Sequence, residues 1–593
     1  MAVKPRTEWL IYGAIAFLGI MPALQHPGSV VGEGADAFGT WWFYDWIRRC
    51  VENGWNPSWT PDFYYPLGKG IFAHTGNNFV DAVLSVPFQW IFGPYFYFPI
   101  FIWVLQVGNA AMFRPLARHV LGEEGVFPAT LLYTTSPFVI FELTAGRPTQ
   151  AMVWFFPAAA LYLLKLIENP GWRPALGLGL AVAVSGWTYW FSLYALVFLL
   201  TPLLLVQLRK ATDPRKTLLW IGGAALLCLA MILPAVQGMS AEVKAKTVPG
   251  MTVTNAWFSL PEALSNNVNP DLHGLVLLET YGTSVISTPV VLLILAFSLW
   301  KRPLKGQGWL LAAAVVVLFA IGPVLRLGSG DAIPLPWYLI LYNKAPFFQR
   351  LWFPYRLVGA AFVPIALLGG ALLLQRPKWL SMLAGVGMLA GQIWWKNWPL
   401  AWHDGRPPPM LQTLEPAGVL FLPMRVQHDG LMWQTWMKMP TFGGMGESAS
   451  VFWPEGYERW LKDPFLRALR EASLKPEKAQ GTAMEAPAWL LRLGYRWVLY
   501  RQDVALFEQS KLAGSAPDLR RVAWGVDSLS RVLGPPDGVD GPVVLWDLKH
   551  EGSLDPNYHA TPERLKSPAW VEAAAPSFQR HIEEAEKQGR PMR

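Results

Sequence analysis

The chain has 593 residues, of which 53% are hydrophobic and only 15% charged, with a mean hydropathy of +0.26. A soluble globular protein carries about a quarter charged residues, so this balance excludes an ordinary water-soluble enzyme and points to a chain solvated largely by lipid. The formal charge of +8 falls in short basic clusters between apolar segments, which is a topology signal and not the footprint of a nucleic-acid partner.

Read in chain order with a window of about 20 residues, apolar segments lie at 9–24, 94–113, 126–141, 151–167, 175–186, 190–206, 217–236, 286–300, 309–325, 353–374 and 379–395. They predict a membrane all-α bundle of about 11 transmembrane helices. Lys4, Arg6, Arg114, Arg118, Arg173, Arg209, Lys210, Arg215, Lys216, Lys301, Arg302, Lys305, Arg376 and Lys378 share one side if the spans alternate. By the positive-inside rule that side is the cytoplasm. The N-terminus is therefore expected in the cytoplasm, with the first span as an uncleaved anchor, because no small-residue cleavage site follows it. An odd number of spans then carries everything after residue 395 to the extracytoplasmic face. The 32 tryptophans and 18 tyrosines suit the two membrane interfaces. Cys50 and Cys228 lie far apart and form no framework.

Three long connections fall on the outer side, at 25–93, 237–285 and 326–352, so function is expected there. In the first, "ADAFGTWWFYDWIRRCVENG" has Phe38, Trp41 and Trp42 at helical spacing and reads as an amphipathic helix lying in the interface, aromatic side toward lipid. Asp36 opens it, either as a helix N-cap or as a functional acid. His74, Asn77 and Asn78 follow in a turn-rich return, and His74 is the candidate metal ligand. "FELTAGRPTQAM" sets Glu142, Arg147 and Gln150 across a short outer turn; "LLETYGTS" brings Glu279 and Tyr281 to the start of a span. "NKAPFFQRLWFPYR" places Lys344, Arg350 and Arg356 at the outer surface, against the positive-inside trend. These arginines either anchor the span on Trp352 or clamp a phosphate, which a planar guanidinium meets bidentately.

Beyond about residue 400 the composition becomes ordinary. "GVLFLPM", "YRWVLYR" and "PVVLWDL" read as buried strands, and "YERWLKDPFLRALREA" as a helix. The expected organisation is a membrane domain over 1–400 with its large first outer loop at 25–93, a small extracytoplasmic α/β domain over 401–550, and a polar tail over 551–593.

Asp36 in "GEGADAFG", the aromatic helix, the return "YYPLGKGIFAHTGNN", the outer "RLWFPYR" before a late span and the trailing α/β domain together resemble the C-type (GT-C) glycosyltransferase superfamily. Its members are multi-span enzymes that use polyprenyl-phosphate-linked sugars. Many of them carry an Asp-Glu pair at the first acid, whereas here Asp36 is followed by Ala37. The resemblance implies an inverting transfer in which an acceptor hydroxyl or amine attacks the anomeric carbon while polyprenyl phosphate leaves. It implies Asp36 as general base or acceptor-holding group, and Arg147, Arg350 or Arg356 as stabilisers of the departing phosphate. Glu142, Gln150, Glu279 and Tyr281 would contact substrate, and a divalent metal, Mg or Mn, would sit near His74. The partners implied are membrane lipids, the lipid-linked sugar and an acceptor glycan, lipid or protein, in a bacterial inner membrane. Two other classes fit the composition: a multi-pass transporter and a non-catalytic envelope assembly protein. The transporter would place ionisable residues in mid-span, and most mid-span stretches here are uncharged.

Overall fold

The computed structural model describes residues 4–32, 35–71, 78–245, 289–322, 324–326, 332–345, 348, 351, 354–374, 376–394, 396–424, 430–445, 453–454, 456–476, 484–513 and 519–549. They divide into two compact units, one of Met1–Trp55, Thr75–Lys244 and Pro249–Asp404, the other of Asn56–His74, Ala245–Val248 and Gly405–Arg593.

In the first unit, α1 (Pro5–Leu24) begins at a proline, carries Arg6 and Glu8 in its first turn and holds no charged residue from Trp9 on. Tyr12, Ala16 and Ile20 are buried, while Leu10, Phe17 and Leu18 stay exposed, as a lipid-facing side requires. Strand β1 (Ser29–Val31) follows and pairs antiparallel with β6 (Trp402–Asp404). Next comes α2 (Ala35–Asn53), which starts with Asp36 in its first turn. Helix α3 (Phe79–Thr134) is interrupted at Gly93 and Gly122, whose φ values of 67° and 70° suit a residue without Cβ. Its apolar part, from Phe96, runs on through α4 (Pro137–Thr144).

The face of α2 differs from the sequence expectation. Trp41, Trp42, Tyr44 and Trp46 are buried within the protein instead of lying toward lipid. Trp41 packs on Tyr97 and Phe98 at 5.3 and 5.6 Å between ring centroids, and Tyr44 on Phe98 and Phe101 at 5.7 Å each. The aromatic run "YFYFPIF" of α3 offers these rings edge-on and tilted contacts that mobile lipid cannot hold.

After a turn come α5 (Pro148–Ala151), α6 (Phe155–Glu168), α7 (Trp172–Thr188), α8 (Ser192–Gln207) and α9 (Pro214–Ala245). The helix Val358–Leu373 is buried along nearly its whole length and packs on α3. Gly370 permits that approach, since a Cβ there would come within 2.6 Å of Ala129, and Gly359 permits a like approach to Phe138 of α4, at 2.7 Å.

Among the described residues, six helical stretches are long and apolar enough to cross a membrane: Pro5–Leu24, Phe96–Thr144, Pro148–Glu168, Ser192–Lys210, Pro214–Ser240 and Pro354–Leu373. The protein is a multi-pass membrane protein. The expectation of eleven spans divided this differently. Phe96–Thr144 contains two of them, separated by the break at Gly122, and those at Pro289–Lys301 and Trp309–Ala320 are short helices of 13 and 12 residues.

The second unit holds a four-stranded sheet, β7 (Gly418–Leu422), β8 (Tyr495–Arg501), β9 (Gly538–Asp540) and β10 (Val543–Asp547), in the order β7-β8-β10-β9. β7 and β8 are parallel and the rest antiparallel. The fully apolar, fully buried run of β7 is what a strand covered on both faces requires. Part of the first outer loop is built into this unit. Tyr64 donates its N–H to Gly443 and its hydroxyl to the Met445 carbonyl, and Tyr495 donates its hydroxyl to the Tyr65 carbonyl at 2.7 Å. The sequence reading had kept the whole of 25–93 with the membrane part.

Candidate active site

The first unit brings together four charged residues that lie far apart in the chain. Asp36 stands in the first turn of α2, where the helix dipole favours an acid, and its side chain is 53% exposed. The turn between α4 and α5 is pressed against it. A Cβ on Gly32 (φ 114°) would fall 2.3 Å from Gly146 Cα, and one on Gly146 (φ 71°) 2.4 Å from Ala37 Cβ. Thr40 adds a hydrogen bond from its hydroxyl to the Gly146 carbonyl at 3.3 Å. The bare backbone of Gly146 thus delivers Arg147 to the mouth of α2. Ala37 is fully buried against that backbone, which leaves no room for a carboxylate at position 37.

Arg147 spreads its guanidinium over three partners. Nη1 reaches Asp36 Oδ2 at 3.3 Å, Nε donates to Glu142 Oε2, and Nη2 donates to the Tyr355 hydroxyl at 3.2 Å. Its cation also lies 5.5 Å from the centre of the Phe141 ring. Glu142 is completely buried, and its Oε1 has no hydrogen-bond partner. Arg356, from the short helix Pro354–Leu357, donates to the Tyr189 hydroxyl at 2.9 Å and lies 3.9 Å from Asp36 Oδ2. Among the described residues, two acids and two guanidiniums leave the cluster neutral by count. Its exposed member is the one acid that faces both cations.

Of the residues expected on the outer side, Asp36, Glu142, Arg147 and Arg356 are brought together by the fold. Gln150 stands in α5, where its backbone N–H donates to the Arg147 carbonyl; its side chain makes no hydrogen bond among the described residues. His74, Glu279, Tyr281 and Arg350 lie outside the described residues. Tyr189 and Tyr355 escaped the sequence reading. The only signal for Tyr355 was its place beside Arg356 in "FPYR", and Tyr189 carried none, being one aromatic in an aromatic-rich chain.

No protein-family model and no curated protein sequence matches the chain. Solved structures do. The arabinofuranosyltransferase AftD from Mycobacteria superposes with a TM-score of 0.56 at 15% identity, over 92% of this chain and 42% of its own. ArnT from Cupriavidus metallidurans, in the apo state, superposes with a TM-score of 0.53 at 11% identity, over 92% of this chain and 98% of its own. The chain has the GT-C fold. It spans less than half the length of the mycobacterial protein.

Among the described residues no group of three or more His, Cys, Asp or Glu side chains could hold a divalent cation, and the Asp36 carboxylate already faces two guanidiniums within 4 Å. His74, the candidate ligand, lies outside them.

Proposed function

We propose that this protein is an inverting glycosyltransferase that moves a sugar from a polyprenyl-phosphate carrier to an acceptor on the extracytoplasmic face of a bacterial inner membrane. The observation that carries this reading is the exposed Asp36 carboxylate facing the buried guanidiniums of Arg147 and Arg356, in a chain of GT-C fold.

The chemistry follows from charge. The donor is a phosphodiester with one negative charge, and the departing polyprenyl phosphate carries about two. An acceptor hydroxyl or amine forms the new bond to the anomeric carbon while the bond from that carbon to the phosphate oxygen breaks. The acceptor's proton goes to Asp36 and the electron pair to the phosphate. Arg147 and Arg356 meet a charge that grows along this path, so they stabilise the transition state more than the bound donor. Glu142, Tyr355 and Tyr189 hold the two guanidiniums in place before substrate arrives. Asp36 uses only Oδ2 toward the arginines, and its exposed side chain can rotate off them when phosphate takes its position. The acceptor is a glycan, lipid or protein group with a nucleophilic hydroxyl or amine.

Binding of polyprenyl phosphate to the purified protein tests the reading without knowledge of the acceptor. A ligand that binds only the folded state raises Tm. Arg147→Ala and Arg356→Ala should each abolish the shift, and Asp36→Asn should enlarge it by removing the competing anion. A shift that survives both arginine variants sinks the phosphate site.

A further inference from the structure

A second carboxyl takes no part in that chemistry. Asp81 lies in the first turn of α3, before the apolar stretch that begins at Phe96, and is fully buried. One of its oxygens, Oδ2, accepts two hydrogen bonds, from the Tyr44 hydroxyl at 2.6 Å and from the Thr149 hydroxyl at 2.5 Å. The other oxygen is buried without a partner. Among the described residues no cation compensates the group, and burial pushes its pKa up to about 7 although both hydroxyls act to lower it.

The two donors belong to the elements that build the site. Tyr44 is on α2, the helix that Asp36 opens, and Thr149 is on α5, just beyond Arg147. The same turn of α3 also reaches the third element: the Asn78 N–H donates to the Thr188 carbonyl at 3.0 Å, next to the Tyr189 that holds Arg356. Further along α3, Gln89 donates from Nε2 to the Tyr44 carbonyl at 3.0 Å. An enclosed carboxyl without a counter-ion destabilises the fold, and a leucine there would not. What a leucine could not do is accept from two elements on one oxygen.

We propose that Asp81 is a positioning residue for the transfer site, tying the Asp36 helix to the Arg147 turn through a single acceptor oxygen and so setting the distance between base and phosphate clamp. The role is that of an acceptor, not of an acid or a base. The part of the inference that concerns catalysis rests on the transferase reading; the part that concerns the tie does not.

The experiment uses the full chain in detergent, with Asp81→Asn, Asp81→Ala, Tyr44→Phe and Thr149→Val. Hydrogen exchange of the amides of Gly146, Arg147, Gln150 and Ala151, which donate to the Leu143, Glu142 and Arg147 carbonyls, reads the tie directly. Turnover of a polyprenyl-phosphate sugar reads the consequence. Asp81→Ala, Tyr44→Phe and Thr149→Val should each speed exchange at those amides and lower kcat by about 10- to 100-fold, with donor KM within about twofold, as small misplacements of reacting groups do. Asp81→Asn keeps an acceptor oxygen and should resemble the wild type in both readouts. If Asp81→Asn falls as far as Asp81→Ala, charge or a proton is required and the inference is overturned. If none of the variants alters exchange, no tie exists. Should Asp81→Ala fail to fold, the Tyr44 and Thr149 variants carry the same test. A wild type with no turnover on any polyprenyl-phosphate sugar would remove the transferase reading, while the exchange data would still decide the tie.

Discussion

Asp36 and Asp81 lie in one compact unit, near the starts of consecutive helices α2 and α3, and both bond to the segment 147–149. Their surroundings separate them. Asp36 is half in solvent and faces two guanidiniums; Asp81 is enclosed and meets two hydroxyls. An exposed acid beside cations can exchange partners and meet a substrate. A buried acid without a cation drifts toward neutrality and can only hold what it touches. The same side chain at the same kind of helix start thus serves as a reacting group in one place and as a fastening in the other.

The strongest way to break this contrast is Asp36→Asn. It should lower kcat by about two to four orders of magnitude, the range of a positioned general base, without weakening binding of polyprenyl phosphate. Single-turnover transfer followed by mass spectrometry measures it, and near-normal turnover would deprive Asp36 of its role. Next in size is Arg147→Ala, which leaves Glu142 buried and unpaired and should cost about 3–5 kcal/mol of stability. Adding Glu142→Gln should return most of the Tm in detergent but none of the transfer. That split would show that the buried pair serves to hold Arg147 and does not itself react.

The pH dependence of stability sharpens the other half of the comparison. The folded-state pKa of Asp81, about 7, is raised above its ordinary 3.8, so the folded protein prefers the protonated form. Its contribution is fully present below the unfolded value and is lost as pH rises through about 7. Tm of the wild type should therefore decline relative to Asp81→Asn between about pH 5 and about pH 8. Parallel curves would mean that Asp81 does not titrate in that window. The smallest expected effect is that of a chelator: transfer rates should not change on treatment with EDTA, because the charges that face Asp36 among the described residues are guanidiniums. A loss restored by Mg or Mn would return a metal to the site.

Much of this was legible in the residues themselves. Charge is expensive at the edge of a membrane, so Asp36, Glu142, Arg147 and Arg356 stood out against their apolar flanks, and they are the members of the site. The aromatic face of α2 was equally visible from its spacing, but spacing cannot say what a face meets. Trp41 and Trp42 were expected on lipid; both are buried, and Trp41 packs on Tyr97 and Phe98. Asp81 gave no signal, because an acid in the first turn of a helix is common at any surface. Its meaning depends on Thr149, 68 positions away.

Hydropathy, the run lengths and the few charges at span ends are properties of neighbouring residues, and they determined the membrane class and the acids and arginines worth watching. The pairing of those charges is a property of closure. Gly32, Gly146 and Ala37 had to be small for the turn at 145–147 to lie on the start of α2, and only that contact sets Arg147 against Asp36. Tyr189, Tyr355 and Asp81 likewise acquire their roles from partners more than thirty positions away, since a hydrogen bond is decided by the few ångströms between two atoms and not by their distance along the chain.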